Sequence, residues 1–165
     1  IGVRGFPCDP RQTAALQDKN SRHAALAAEL ATIGNRLEQA AGPFDIVFGH
    51  NDLLCGNFLD DGTRLWLIDY DYAGFNSPLF DLGGLASNNG LSEQQELWIL
   101  ETYFGAPVTD DLLHRYNAMK CASLLRETMW SMVSEITSKI EFDYAAYTAS
   151  NLARFRAALD DFQNT

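Results

Sequence analysis

His50-Asn51-Asp52-Leu53-Leu54-Cys55-Gly56-Asn57, followed a few residues later by Leu67-Ile68-Asp69-Tyr70-Asp71-Tyr72, decides how this chain is to be folded. Between the two runs lies Asp60-Asp61-Gly62-Thr63, flanked by the short apolar segments Asn57-Phe58-Leu59 and Leu65-Trp66-Leu67-Ile68. An Asp-Gly pair between such segments is a strong hairpin signal, because the turn needs a residue that tolerates positive φ. Upstream, Ile46-Val47-Phe48 is a β-prone run leading into Gly49-His50. One Asp therefore sits in a loop, an Asn follows five residues later at the hairpin's entry, and a second Asp stands at its exit.

Outward from this small β unit the pattern is helical. A Gly/Pro-containing entry (Gly2, Gly5, Pro7, Pro10) precedes apolar residues at Leu16, Leu26, Leu30, Ile33 and Leu37 in an Ala-rich background, which predicts one amphipathic helical segment ended by Gly42-Pro43. Beyond the hairpin, a short helix is predicted near Leu79 to Ser87. Ser92-Glu93-Gln94-Gln95 has the form of a capping box ahead of Leu97, Leu100 and Phe104, with Gly105-Ala106-Pro107 as the stop. Thr109 or Asp110 can cap a long helix through Leu113, Tyr116, Met119, Leu124 and Met132, and a last helix spans about Tyr144 to Phe162. The fold class is mainly α with a small β hairpin unit, in one domain without repeats or low-complexity stretches.

With 165 residues, 47% of them hydrophobic and 21% charged, the chain can bury a real core. No stretch approaches the roughly 20 consecutive apolar residues that cross a bilayer. Cys8, Cys55 and Cys121 lack metal-ligand or disulfide-framework spacing and fit a reducing, cytoplasmic compartment. A formal net charge of -10 argues against a nucleic-acid partner and suits a cationic small molecule. From Asp45 to His114 there are twelve carboxylates and one Lys or Arg, Arg64, so any phosphate held there needs a metal ion or a cation from elsewhere.

The residue types fit metal-assisted phosphoryl transfer. An attacking hydroxyl must be oriented and must lose its proton, which calls for a carboxylate within hydrogen-bond reach, and Asp52 is the candidate. Magnesium takes hard oxygen ligands and keeps several waters, so the Asn57 amide oxygen and the Asp69 carboxylate suffice beside the phosphates, with Asp71 available to a second ion. His50 is assigned to bracing the loop by hydrogen bonding rather than to proton transfer. Cys55 has no base or cation beside it in the sequence and is read as filler.

The segment resembles the choline/ethanolamine kinase group within the aminoglycoside-phosphotransferase-like, protein-kinase-like superfamily. The residues that carry the resemblance are His50 to Leu59, Leu67 to Tyr72 and Phe80-Asp81-Leu82-Gly83. Asp71 stands where the group usually has Glu. The resemblance implies that Asp52 is the catalytic base, that Asn57 and Asp69 are metal ligands, and that Asp81 is a structural brace for the loop. It implies an acceptor pocket of aromatic rings and carboxylates: Tyr72 falls on a pocket tyrosine and Trp130 on a pocket tryptophan. Glu127, three residues before Trp130 on the same helix face, stands where a second tryptophan is usual, and an acidic pocket position falls near Asn88.

The expected activity is ATP-dependent phosphorylation of a small cationic amino alcohol, choline or ethanolamine, with Mg2+ as cofactor and a homodimer compatible with the group. The alternatives are another kinase of the superfamily, acting on an aminoglycoside, thiamine or homoserine, and a non-catalytic kinase-like binding module. A complete enzyme of this type also needs a small β lobe with a phosphate-covering loop and a strand lysine. Lys19, Lys120 and Lys139 are in no Val/Ile-rich strand context, and the chain starts at Ile1. The 165 residues are therefore expected to be the C-terminal lobe, inactive without its own N-terminal, ATP-clamping lobe.

Overall fold

A computed structural model of the protein describes residues 10–164; Gly2, Gly5, Pro7 and Cys8 lie outside the described residues. The element order is α1 (Pro10–Asp18), α2 (Ala24–Ala41), β1 (Val47–Gly49), a 3-10 turn (Cys55–Asn57), β2 (Phe58–Asp60), β3 (Leu65–Leu67), β4 (Gly74–Asn76), α3 (Pro78–Asn89), α4 (Glu93–Phe104), α5 (Asp110–Thr137) and α6 (Tyr144–Gln163). Mainly helical with small antiparallel strand units is the class the sequence predicts. No helix among the described residues is long and apolar enough to cross a membrane.

α5 is the axis of the molecule and packs against α1, α2, α3 and α6. Because neighbours surround it, its buried residues fall on all sides: Tyr116, Met119, Cys121, Leu125, Met129 and Met132 are essentially inaccessible. Two of its buried hydroxyls are satisfied within the helix, Thr128 Oγ1 donating to the Leu124 carbonyl and Ser131 Oγ to that of Thr128, both at 2.8 Å. Leu16, Leu30, Leu37, Phe80, Leu100 and Phe155 close the core from the other helices. α3 comes so near α5 that a Cβ on Gly83 would stand 2.7 Å from the Lys120 Cα.

The helix ends follow the predicted chemistry. Ser77 caps α3, Ser92 and Gln95 form the reciprocal capping box of α4, Thr109 accepts from the Leu112 N–H, and Asp143 caps α6. Gly90 and Gly105 end α3 and α4 in the left-handed conformation. At the end of α2, Arg115 of α5 donates to the carbonyls of Ala41 and Pro43, satisfying acceptors that the helix itself cannot.

Two expectations need correction. The single N-terminal helical segment is two helices: the chain reverses at Asn20, whose φ is 52°, and Arg22 and His23 are drawn onto Glu135 of α5 at 3.0 and 2.9 Å. The helical periodicity continues across the break because both pieces present their apolar face to the same neighbour. The single hairpin unit is in fact two separate two-stranded pairs. β2 and β3 form the predicted hairpin, with Phe58 opposite Leu67, while β1 pairs with β4, Val47 opposite Asn76, a strand the sequence reading left unassigned.

Candidate functional site

The hairpin turn is built by Asp61. Its carboxylate accepts from the Trp66 indole N–H at 2.8 Å and from the Thr63 hydroxyl and the Thr63 and Arg64 amides, which hold it well below the usual carboxylate range. With the turn set, the Ile68 N–H donates to the Asn57 carbonyl at 3.0 Å, one step beyond the Phe58–Leu67 pair. Asp69 therefore follows directly on the residue bonded to Asn57. It leaves the strand at once, with φ 64°, a left-handed conformation that a non-glycine residue adopts only where its surroundings require it.

The loop of residues 50–57 is tied down from four directions. The Asp81 carboxylate, in the first turn of α3, accepts from the His50 N–H at 2.7 Å and from the Asn51 N–H at 2.6 Å. His50, 4% exposed, donates from Nε2 to the Ile68 carbonyl at 2.9 Å and packs edge-on to Tyr70, so it joins the loop to the residue before Asp69. Asn51, also at positive φ (63°), donates from Nδ2 to the carbonyls of Tyr72 and Gly74 and accepts from Asn76 of β4 at 2.9 Å. Asn89, at the end of α3, accepts from the Cys55 N–H and donates to the Leu53 carbonyl at 2.7 and 2.8 Å. Burial pushes the Asp81 carboxyl up, against the pull of the two amides.

The loop exposes the groups that chemistry could use. Asn57, a buried residue, donates from Nδ2 to the Asp52 carbonyl at 2.9 Å, a bond that does not use its Oδ1. Asp69 and Asp71 are solvent-exposed, and among the described residues no hydrogen bond or ion pair engages either carboxylate. An amide oxygen and an unengaged carboxylate are donor types that suit a small hard cation. The described residues contain no cluster of three or more His, Cys, Asp or Glu dense enough to cage a metal by themselves. Phosphates and water would have to complete its shell.

Asp52 meets a cation the sequence reading missed. Arg126 of α5 reaches across so that its Nη2 lies 3.4 Å from Asp52 Oδ1, and its guanidinium sits 5.5 Å from the Tyr72 ring centre and 5.4 Å from that of Phe80. Tyr72, a predicted pocket residue, is thus a partner of Arg126. One residue further along α5, Glu127 accepts from the Tyr147 hydroxyl at 2.7 Å, and Trp130 packs edge-on to Tyr144. Phe142 touches both Tyr144 and Tyr147, at ring separations of 4.9 and 5.6 Å. Burial and the Glu127 carboxylate push the Tyr147 phenol up to about 12, so it remains a donor at neutral pH. Glu127 and Trp130 therefore belong to one cluster with three rings from the start of α6 and the turn before it. The Tyr144 and Tyr147 spacing of three was the available signal for it. Asn88 is half-buried near the end of α3; its neighbour Asn89 is the residue tied into the loop. Cys55 is exposed, and no base stands beside it.

A family model described as choline/ethanolamine kinase matches residues 7–98. The chain is 32% identical to human ethanolamine kinase 2 over 139 residues, covering 72% of this chain and 36% of that protein. It is 31% identical to the probable ethanolamine kinase A of Dictyostelium discoideum over 148 residues, covering 78% and 42%. The crystal structure of a choline/ethanolamine kinase family protein from Mesorhizobium loti superposes with a TM-score of 0.82 at 28% identity, over 93% of this chain and 54% of that one. The chain spans well under half the length of these curated relatives.

Proposed function

The chain belongs to the choline/ethanolamine kinase family, and we propose that it forms the catalytic-loop and acceptor-binding lobe of an ATP-dependent kinase for choline or ethanolamine. The observation that supports this is the register of the β2–β3 hairpin, which pairs Ile68, the residue before Asp69, with Asn57, while the Asn57 side chain bonds the Asp52 carbonyl. Asp52 accepts the proton of the substrate hydroxyl as its oxygen attacks the γ-phosphorus, the bond from that phosphorus to the bridging oxygen breaks, and ADP departs with the electron pair. Asn57 Oδ1 and the Asp69 carboxylate would hold magnesium, with Asp71 within reach of a second ion. Such an ion, when bound, neutralises charge on the phosphate oxygens.

The ammonium head belongs with Glu127, Trp130, Tyr144 and Tyr147. Ring faces attract a cation without needing hydrogen bonds from it, and Glu127 keeps one carboxylate oxygen outside its bond to Tyr147. The nucleotide clamp lies outside these 165 residues. Supporting this, the strand face beside the loop is open: Phe48, Leu59, Leu65, Trp66, Ile68 and Phe75 are each at least 40% exposed, an apolar surface of the kind that a further lobe covers.

The test is steady-state phosphorylation of choline, ethanolamine, thiamine and an aminoglycoside by the full-length protein. Choline or ethanolamine should have the highest kcat/KM. Asp52→Ala should lower kcat about 100- to 10,000-fold while nucleotide still binds, and Asp69→Ala should weaken Mg-nucleotide binding. Equal rates for wild type and Asp52→Ala would refute the assignment.

A further inference from the structure

We propose that Arg126 is a positioning residue for this transfer, orienting the Asp52 carboxylate so that one oxygen is held and the other is presented to the acceptor hydroxyl. The inference rests on the reading of Asp52 given above. The contact is one-sided: Arg126 Nη2 approaches Oδ1 at 3.4 Å, and no second guanidinium nitrogen engages the carboxylate. A forked, bidentate pairing would occupy both oxygens and leave none for a proton. Here Oδ2 remains available.

The guanidinium is itself fixed. It lies 5.5 Å from the Tyr72 ring centre and 5.4 Å from that of Phe80, a core residue with 2% of its surface exposed. Contact with two rings suits the weakly hydrated guanidinium better than an ammonium. The Arg126 and Asp52 side chains are 18% and 16% exposed, so the pair is shielded from the screening that makes surface ion pairs weak. Charge balance points the same way. The stretch that supplies the loop carries twelve carboxylates against Arg64, and Arg64 is engaged over Trp66 on the hairpin. A fixed cation at the hydroxyl end also repels the substrate's ammonium. The head group is thereby directed one step along α5 to Glu127 and Trp130, which gives the acceptor a single orientation.

The experiment compares full-length wild type with Arg126→Met, Arg126→Lys and Arg126→Ala. Arg126→Met keeps the aliphatic stem against Phe80 and should lower kcat for the amino alcohol about 100-fold, the scale of a misplaced reacting group. KM for Mg-nucleotide and the thermal midpoint should stay at wild-type values. Arg126→Lys should recover only part of the rate, since it restores charge without the guanidinium. Low millimolar guanidinium should raise the rate of Arg126→Ala and leave wild type unaffected. Wild-type kcat in Arg126→Met overturns the inference alone. So does a rate loss that tracks a fallen thermal midpoint and that neither lysine nor guanidinium repairs. A wild-type protein that phosphorylates none of the alcohols overturns the reading of Asp52, and the inference with it.

Discussion

Replacing Asp81 by Asn, nearly the same shape, should be more harmful than truncating it to Ala. The carboxylate accepts from two successive amides, His50 at 2.7 Å on Oδ2 and Asn51 at 2.6 Å on Oδ1. A primary amide offers one acceptor and one donor, so Asp81→Asn keeps one bond and turns an N–H toward another N–H. Asp81→Ala removes both bonds but leaves a space into which water can move. Hydrogen bonds to a charged group contribute about 1.5–3 kcal/mol each, offset here by relief of the cost of burying the carboxylate. The net loss for Asp81→Ala should be about 2–3 kcal/mol, with Asp81→Asn losing about 1 kcal/mol more from the opposed donors. On the role proposed for Asp52, a kinetic consequence follows from connectivity: the two amides belong to the residues immediately before Asp52, and loss of their anchor lets its carboxylate drift. A displacement near 1 Å costs about 100-fold in rate. Urea unfolding of the three proteins and steady-state kinetics of their full-length forms measure both effects. Asp81→Asn with wild-type stability and kcat would show that the carboxylate does not hold the loop.

Gly83→Ala should destabilise the fold by about 1–3 kcal/mol, because the new Cβ would meet the Lys120 backbone at 2.7 and 2.8 Å and backbone cannot swing aside; an unchanged urea midpoint would contradict the close α3–α5 crossing. Tyr147→Phe should raise the acceptor KM roughly tenfold with kcat nearly unchanged, since a bond to a charged group is lost from the head-group site and not from the reacting end. Glu135 gives a pH dependence of definite sign. Burial alone would raise its pKa, but bonds from Arg22 and His23 outweigh that and hold it below the ordinary 4.5. A depressed carboxyl stabilises the fold above pH 4.5, and that contribution is lost as pH falls through the folded-state value. The gap in thermal midpoint between wild type and Glu135→Gln should therefore be widest near neutrality and close below pH 4.5; a gap that widens in acid would reverse the assignment.

What could be read directly from the residues was local. Asp61-Gly62 announces the hairpin because the turn is closed by the side chain of Asp61 on its own neighbours, and Ser92 with Gln95 announces α4 because the two cap each other. The spacing of Asp52, Asn57 and Asp69 was legible for the same reason: it spans one short loop and one hairpin. The α1–α2 break was hidden because it depends on Glu135, more than a hundred residues away. β4 was hidden because its short run is β-like only in the company of β1, and the pairing is bought by the Asn51–Asn76 bond inside it.

Arg126 shows the limit most clearly, and also a way past it. Nothing near position 126 indicates that its side chain meets Asp52, 74 residues earlier. That contact exists because α5 runs through the centre of the fold and α3 lies close against it, with Gly83 permitting the approach. Yet the need for such a contact was visible: a stretch with twelve carboxylates and one Lys or Arg calls for positive charge from elsewhere. Composition states the deficit and the fold decides which residue meets it. Outside that stretch the described residues hold Arg11, Lys19, Arg22 and Arg36 before it and Arg115, Lys120, Arg126, Lys139, Arg154 and Arg156 after it. Of these, Arg115 is committed to the end of α2, Lys120 to Glu96 and Arg154 to the Ser87 carbonyl and Asn151. Arg126, one turn of α5 before Trp130, is the one that reaches Asp52 and the Tyr72 ring together.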